Sequence, residues 1–491
     1  MDEERVGQIE LGIPVAQAAI HYLGLKNRWR KQAIGKSTYL SKHLQQTVPA
    51  GSRAEEGEPA ESMDAKVILE ARRRIVGPNV TLLFDEPIHM VRGEGVHLYD
   101  ADGNEYLDTV NNVAHVGHCH PKVTAAVTKA LMTLNTNSRY LHQDVIRHAQ
   151  LLLPTLPSSL EAVYWTSSGS EATELAVRIA RAACPGALHV AVMDYAYHGH
   201  TCLANDLSPL KFNGPGGSGQ PSFVHVLPCP DIYRQTNLDG RAAARKVIAE
   251  AHAAGARIGA FIAEPILSCG GQVVLPNGYL AAVYEEMRAE GAACIADEIQ
   301  TGFGRVGRTF WAFQLHGVVP DIVTLGKPIG NGFPMGAVVV SRRLAKAFSN
   351  GTAYFATFGG CTAAGAAGVA VMEALQEEQL QGNAAVVGAY FKEQLQIMQQ
   401  EFEVIGDVRG EGLMLGIELV DSKASKAPAT LLANRVKEAA KCRERLLIAI
   451  EGPHSNVIKI KPPIVFSLKD VDKYLAALRK VLEEEQPLCP K

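Results

Sequence analysis

Between about residues 125 and 385, short apolar runs alternate with stretches in which apolar residues recur every three or four positions. The runs at 162–164, 190–193, 224–227, 259–262, 294–296, 322–325 and 336–340 lack polar alternation, as strands covered on both faces do. Between them lies helical spacing, as in Ala172, Leu175, Ala176, Ile179 and Ala180. The alternation predicts an α/β fold, a mostly parallel sheet with helices on both faces. In such folds, ligand-binding groups collect at the strand ends.

The flanks read differently. Residues 91–107 alternate around Asp102-Gly103, which predicts a β-hairpin, and 404–419 reads as another. Residues 386–491 suit a smaller α+β domain. A helix is expected around 15–22, followed by a basic stretch at 26–42 that reads as a solvated helix face. Residues 50–62 are polar, acidic and aperiodic, the mark of a linker. The expected organisation is an N-terminal extension and linker (1–64), the N-terminal part of a small domain (65–125), a large domain (126–385) and a C-terminal small domain (386–491).

Composition narrows the function class. At 491 residues the chain exceeds one simple core, and 47% hydrophobic residues is a globular value. A net charge of −3 sets up no strong field for nucleic acid. No apolar run approaches the ~18 residues of a membrane span. The nine cysteines show no C-x-x-C pair, which suits reduced thiols inside a cell. Met1 to Arg5 is too acidic for a secretory signal. A cytoplasmic or mitochondrial protein is expected, with no nucleic-acid or membrane partner.

Three elements carry candidate chemistry. Lys327 follows a buried run and opens a Gly/Pro-rich turn, and Asp297 ends another such run. Singly, these read as a surface lysine and a capping aspartate. Together they suit pyridoxal phosphate, whose aldehyde takes an amine and whose ring nitrogen takes a carboxylate. The third element, Ser167-Ser-Gly-Ser170, precedes a helix. Small residues and free N–H groups at a helix start form an anion cradle. The plainer reading is an N-cap, with Glu171 in the first turn. His115, His118 and His120 lie in a Gly/Pro-broken loop without a metal-like partner set, so no metal is expected.

Ser168-Gly-Ser-Glu-Ala172, Asp194-Tyr-Ala-Tyr-His-Gly-His200, Ala296-Asp-Glu-Ile-Gln-Thr-Gly-Phe-Gly-Arg305, Gly326-Lys327 and Thr357-Phe-Gly-Gly360 occur in that order. This set resembles the class-III aminotransferase family of pyridoxal-phosphate enzymes, over roughly residues 66–485. The segments 111–121, 135–142 and 457–463 resemble its phospho-lyase branch, which acts on ethanolamine phosphate or 5-phosphohydroxy-lysine. The resemblance implies a fold-type-I enzyme with cofactor sites shared across a homodimer, or within a homotetramer. It implies that Lys327 bonds the cofactor and moves a proton, and that Asp297 pairs with the ring nitrogen. Gly169 and Ser170 bind the phosphate, and Thr357 does so from a partner subunit. Tyr197 stacks on the ring beside His198, while Gln300 and the gate residue Glu264 lie near the ring oxygen. Each of these also has a plain structural reading as a core, turn or capping residue.

Two departures from the family pattern bear on function. Lys459 stands where many family aminotransferases carry an arginine that grips the substrate α-carboxylate. A lysine is a point charge and does not replace that fork. Cys361-Thr362 stands where the family usually continues Asn-Pro. The expected reaction is therefore β-elimination of phosphate from a small phosphorylated amine. Asn111, His118, Arg139, Lys459 and Lys461 are the candidate substrate residues. An ω-aminotransferase is the alternative, which Glu264-Pro265 favours, and a non-enzymatic cofactor-binding scaffold is the third reading.

Overall fold

The computed structural model describes residues 63–486. The helix expected around 15–22, the basic stretch and the linker lie outside the described residues. The described residues from Arg72 onward form one compact unit, which contains everything discussed below.

The first strands are β1 (Met90–Glu94), β2 (His97–Asp100) and β3 (Glu105–Asp108). The expected hairpin around Asp102-Gly103 is the β2–β3 pair, and β1 extends it into a meander. Gly95, at φ 57°, makes the added turn. Asp100 pins the second turn by accepting from the backbone N–H groups of Asp102 and Asn104.

The large sheet contains β4 (Ala162–Thr166), β5 (His189–Met193), β6 (Val224–Leu227), β7 (Ile258–Ala263), β10 (Ala293–Asp297), β11 (Ile322–Leu325) and β12 (Gly336–Val340). A short hairpin, β8 (Ile266–Leu267) and β9 (Val273–Val274), follows β7. The order across the sheet is β4-β12-β11-β10-β7-β5-β6. Neighbours from β11 to β6 pair in parallel, and β12 runs antiparallel to both β11 and β4. The fold is thus α/β and of the fold-type-I kind. The apolar runs give these strands because both faces are covered. Val190, Val192, Ala260 and Ile262 pack with the helix Gly169–Ala183. The alternate residues Ala191, Met193, Phe261 and Ala263 pack with Ala244, Val247, Leu280 and Val283, from the helices Gly240–Ala253 and Tyr279–Glu290.

The C-terminal part carries β13 (Ile405–Glu411), β14 (Met414–Leu419), β15 (Leu446–Leu447), β16 (Ala449–Glu451) and β17 (Val457–Ile460). The expected hairpin at 404–419 is the β13–β14 pair. A four-stranded sheet runs β13-β14-β17-β16, and β15 joins β3 in parallel. Residues from both ends of the chain therefore share structure outside the large sheet. Among the described residues, no helix is long and apolar enough to cross a membrane.

Candidate active site

The sheet brings its functional groups to one edge. Glu264 directly follows β7, Asp297 ends β10, and Lys327 lies just past β11. Because β7, β10 and β11 are neighbours, these three residues share the carboxyl edge of the sheet. The helix Gly169–Ala183 starts at the same edge, three residues past β4, and Ser168 caps it by accepting from the Glu171 N–H at 3.2 Å.

Lys327 sits at φ 39°, a left-handed backbone conformation uncommon for lysine. Its amine makes no hydrogen bond or ion pair among the described residues. Asp297 is 1% exposed, and its Oδ2 meets His198 Nδ1 at 2.7 Å. Its Oδ1 accepts from the Ile299 N–H at 3.1 Å. His198 Nε2 is buried without a partner. Tyr197 is half-buried beside it, and burial raises its phenol pKa.

The helix start is kept clear by three glycines. A Cβ on Gly169 would lie 2.7 Å from Ile299 Cδ1, and one on Gly326 would lie 3.2 Å from Gly169 Cα. Gly199, at φ 135°, lies so close that its Cβ would fall 2.5 Å from Ser170 Oγ. That hydroxyl accepts from the His200 N–H at 3.2 Å.

Glu264 is 1% exposed, and neither carboxylate oxygen has a hydrogen-bond partner. Burial first, and then the charge of Asp297, push it up to about 7, against the pull of His198, Lys461 and the nearby Ser268 hydroxyl. Gln300 Oε1 accepts from Asn112 Nδ2 at 3.0 Å and from Lys461 Nζ at 3.1 Å. Lys461 is fully buried. Glu451 meets Lys459 at 2.6 Å and Lys461 at 3.3 Å.

The sequence candidates do not all converge. Lys327, Asp297, His198, Tyr197, Glu264, Gln300, Gly169 and Ser170 belong to one carboxyl-edge cluster, and Lys461 reaches it through Gln300. Lys459 reaches it only through Glu451. Asn111 is half-buried, and its N–H is held by Asp108 at 3.1 Å. His118 is turned to Asp108 Oδ2 at 2.7 Å, and His120 to Glu378 at 2.8 Å. His115 contacts the Phe303 carbonyl at 2.8 Å and Arg305 at 3.2 Å, so the three histidines diverge. Arg139 and Thr357 are exposed, and the Arg139 guanidinium stacks 3.9 Å from the Phe355 ring. Thr362, at the second departure from the family pattern, donates its hydroxyl to the Leu134 carbonyl. A cavity of about 700 Å³, lined by Tyr195, Arg234, Arg409 and Glu418 among others, includes none of these candidates.

Sequence reasoning passed over three residues. Glu451 and Gln272 form the support beneath the lysines, with Gln272 Nε2 donating to Glu451 at 2.7 Å. The spacing Lys459-x-Lys461 in and just past an apolar strand was the available signal, because a buried ammonium group requires a counter-charge. The third is Glu298, buried next to Asp297, which accepts from Thr301 Oγ1 at 2.6 Å and from the Phe313 N–H at 2.8 Å.

These residues fit pyridoxal phosphate. An unpartnered amine stands for its aldehyde, a buried carboxylate for its ring nitrogen, and a glycine-cleared helix start for its phosphate. Bound there, the cofactor supplies an electron sink that lowers the barrier to removing a proton from the carbon bearing the substrate amine.

Comparison with known proteins gives the same result. The profile of the Aminotransferase class-III family matches residues 84–482. A Drosophila melanogaster protein named alanine–glyoxylate aminotransferase 2-like is 42% identical over 86% of this chain and 88% of its own. A Caenorhabditis elegans protein named ethanolamine-phosphate phospho-lyase homolog 1 is 38% identical over 84% of this chain and 93% of its own. The solved structure of a phospholyase from Arthrobacter in complex with phosphoethanolamine superposes with a TM-score of 0.80 at 38% identity, covering 85% of this chain and 99% of that one. The chain is an enzyme that uses pyridoxal phosphate, and it belongs to the class-III aminotransferase family.

Proposed function

We propose that this enzyme removes phosphate from a small phosphorylated amine, such as ethanolamine phosphate or 5-phosphohydroxy-lysine, by β-elimination. Lys327 holds the cofactor and then takes the proton from the carbon bearing the amine. Asp297, steadied by His198, keeps a proton on the ring nitrogen. Tyr197 lies against the ring, Gln300 faces the ring oxygen, and Gly169 and Ser170 hold the cofactor phosphate. Breaking the neighbouring C–O bond releases phosphate. The remaining enamine takes up water to give an aldehyde and ammonia.

One observation carries this reading. No guanidinium hydrogen-bonds Gln300 or Lys327 among the described residues, and the lysine at position 459 is ion-paired with Glu451. A substrate without a carboxylate on its reacting carbon does not need that fork. Of the candidate cations for a substrate phosphate, Arg139 is exposed, whereas Lys459 and Lys461 are paired with Glu451. Two phospho-lyase relatives at 38% identity add support.

The second reading is an ω-aminotransferase. The Drosophila relative and the human mitochondrial alanine–glyoxylate aminotransferase 2, 36% identical, favour it. The names of the relatives weigh toward this reading, and so does Glu264-Pro265. Incubation with ethanolamine phosphate and no keto acid separates the two. Phosphate, ammonia and acetaldehyde appearing together are expected of the lyase. Turnover only when pyruvate or glyoxylate is added would refute it.

The proposed assembly is a homodimer or a homotetramer in the cytoplasm or mitochondria. The exposed Leu131, Met132, Leu134, Tyr140, Leu141 and Phe358, near the exposed Thr357, support a covering partner copy. The division into large and small domains at about 126 and 386 belongs to the same proposal.

A further inference from the structure

We propose that Glu451 is a positioning residue for the cofactor: it holds the Lys461 amine against Gln300 and so keeps the Gln300 amide turned with its NH2 toward the cofactor ring oxygen. This rests on the role given to Gln300 above, and not on the choice between elimination and amine transfer.

The geometry leaves Gln300 one orientation. Its Oε1 is met by two donors, Asn112 Nδ2 at 3.0 Å and Lys461 Nζ at 3.1 Å. An ammonium group only donates, so a charged Lys461 forbids the turned-over amide, whose NH2 would face it. A neutral amine carries a lone pair and would accept from that NH2. The orientation of Gln300 therefore depends on the charge of Lys461.

That charge depends on Glu451. Lys461 is fully buried, and burial lowers its pKa. Glu451 is the largest opposing influence, and Cys269 and Glu264 add to it, whereas Lys459 works against the charge. Burial works against ionisation of Glu451 too, but Lys461, Lys459 and Gln272 bring its carboxyl down to about 2. The Lys461 backbone is anchored independently. Its N–H donates to the Thr109 carbonyl at 2.8 Å, and Arg305 Nη1 donates to the Pro462 carbonyl at 2.8 Å. The main chain at Lys461 therefore keeps its place when the carboxylate is removed, and the loss falls on the charge of the amine. Glu451 thus acts on the cofactor through Lys461 without needing to touch it.

The test is the rate at which holoenzyme releases pyridoxal phosphate, followed by loss of its visible absorbance at about pH 6 and about pH 8.5, either side of neutrality. Wild type is expected to release slowly at both. Glu451→Gln is expected to match wild type at the lower pH. At the higher pH it should release about tenfold faster, the loss expected for one charge-assisted hydrogen bond. Glu264 faces the same amine and ionises only above about 7, so it can stand in for Glu451 at the higher pH. In the E264Q background, E451Q should therefore give at least as large a rise. Lys461→Met is expected to release faster at both pH values, and E451Q/K461M no faster than K461M. Glu451→Asp should restore most of the wild-type behaviour.

A pH-independent rise in E451Q, or a double variant faster than K461M, would mean that Glu451 acts on general stability, and would overturn the proposal. Gln300→Met tests the reading beneath it. If that variant releases cofactor at the wild-type rate, the assignment of Gln300 falls and takes this proposal with it. If it releases fast while E451Q does not, Glu451 alone is wrongly placed.

Discussion

Glu264→Gln should stabilise the cofactor-free protein above neutral pH and leave its stability near pH 4 almost unchanged. The wild-type carboxyl is buried with both oxygens unpartnered, and burial with nearby Asp297 pushes it from 4.5 up to about 7. In the unfolded chain it ionises at its ordinary value. Between 4.5 and about 7 the unfolded state has therefore released a proton that the folded state retains. Stability falls as pH rises wherever the folded state binds more protons, so this group costs stability progressively across that window. At roughly 1.4 kcal/mol for each tenfold, the cost reaches about 3 kcal/mol above neutrality. Glutamine has nearly the same volume and no charge to desolvate, so it removes the cost while leaving unpaired polar atoms in both proteins. Urea unfolding of both apoproteins across about pH 4 to 8.5 measures the difference directly. The expected result is coincident midpoints at the acidic end and a variant midpoint that moves steadily ahead above it. A variant equally or less stable than wild type at the alkaline end would refute the reasoning, because Glu264 would then be ionised and paired. Glu298, also pushed up to about 7 by burial, gives both proteins the same downward slope and cancels in the comparison.

Lys327→Ala should give colourless protein with no borohydride-reducible cofactor adduct, and an adduct at the wild-type level would move the attachment point elsewhere. Gly336→Ala places a Cβ 2.5 Å from the Ser168 carbonyl and 2.6 Å from Thr166 Oγ1. Overpacking against backbone costs about 1–3 kcal/mol and shifts the cap of the cradle helix. A lower melting temperature and a smaller rise on adding pyridoxal phosphate are expected, and a wild-type rise would show that the cradle tolerates the shift. Lys459→Arg should not raise kcat/KM for ethanolamine phosphate, because the fork would bond Glu451; a faster variant that stays inert toward alanine would sink the account of the missing arginine. Deleting residues 1–62 should leave activity intact, and loss of cofactor binding would show that the extension supports the core.

The sequence by itself determined the elements that arise from local causes. A strand buried on both faces needs a continuous apolar run, so β5, β6, β7, β10, β11 and β12 were legible as such. The first charged residue after a run marks the strand end, and that picked out Asp297. Lys327 stood out as the first charge past β11, at the opening of a Gly/Pro-rich turn. A helix cap is a contact between near neighbours, so Ser168 and the cradle could be read from a few positions. Gly95 was passed over because one glycine in an alternating segment gives too little signal for a second turn. The tertiary structure decided everything that depends on which elements lie side by side. The sheet order places β7 next to β10, and that alone brings Glu264 close enough to Asp297 for the aspartate's charge to act on it. Gln300 meets Lys461 across 161 positions of chain. Glu451 had no pattern of its own, because a carboxylate in a short strand is an ordinary residue until the amines of Lys459 and Lys461 are folded against it. Contacts between distant segments leave no period in the chain, and the charge state of a buried group is set by neighbours that only the folded chain supplies.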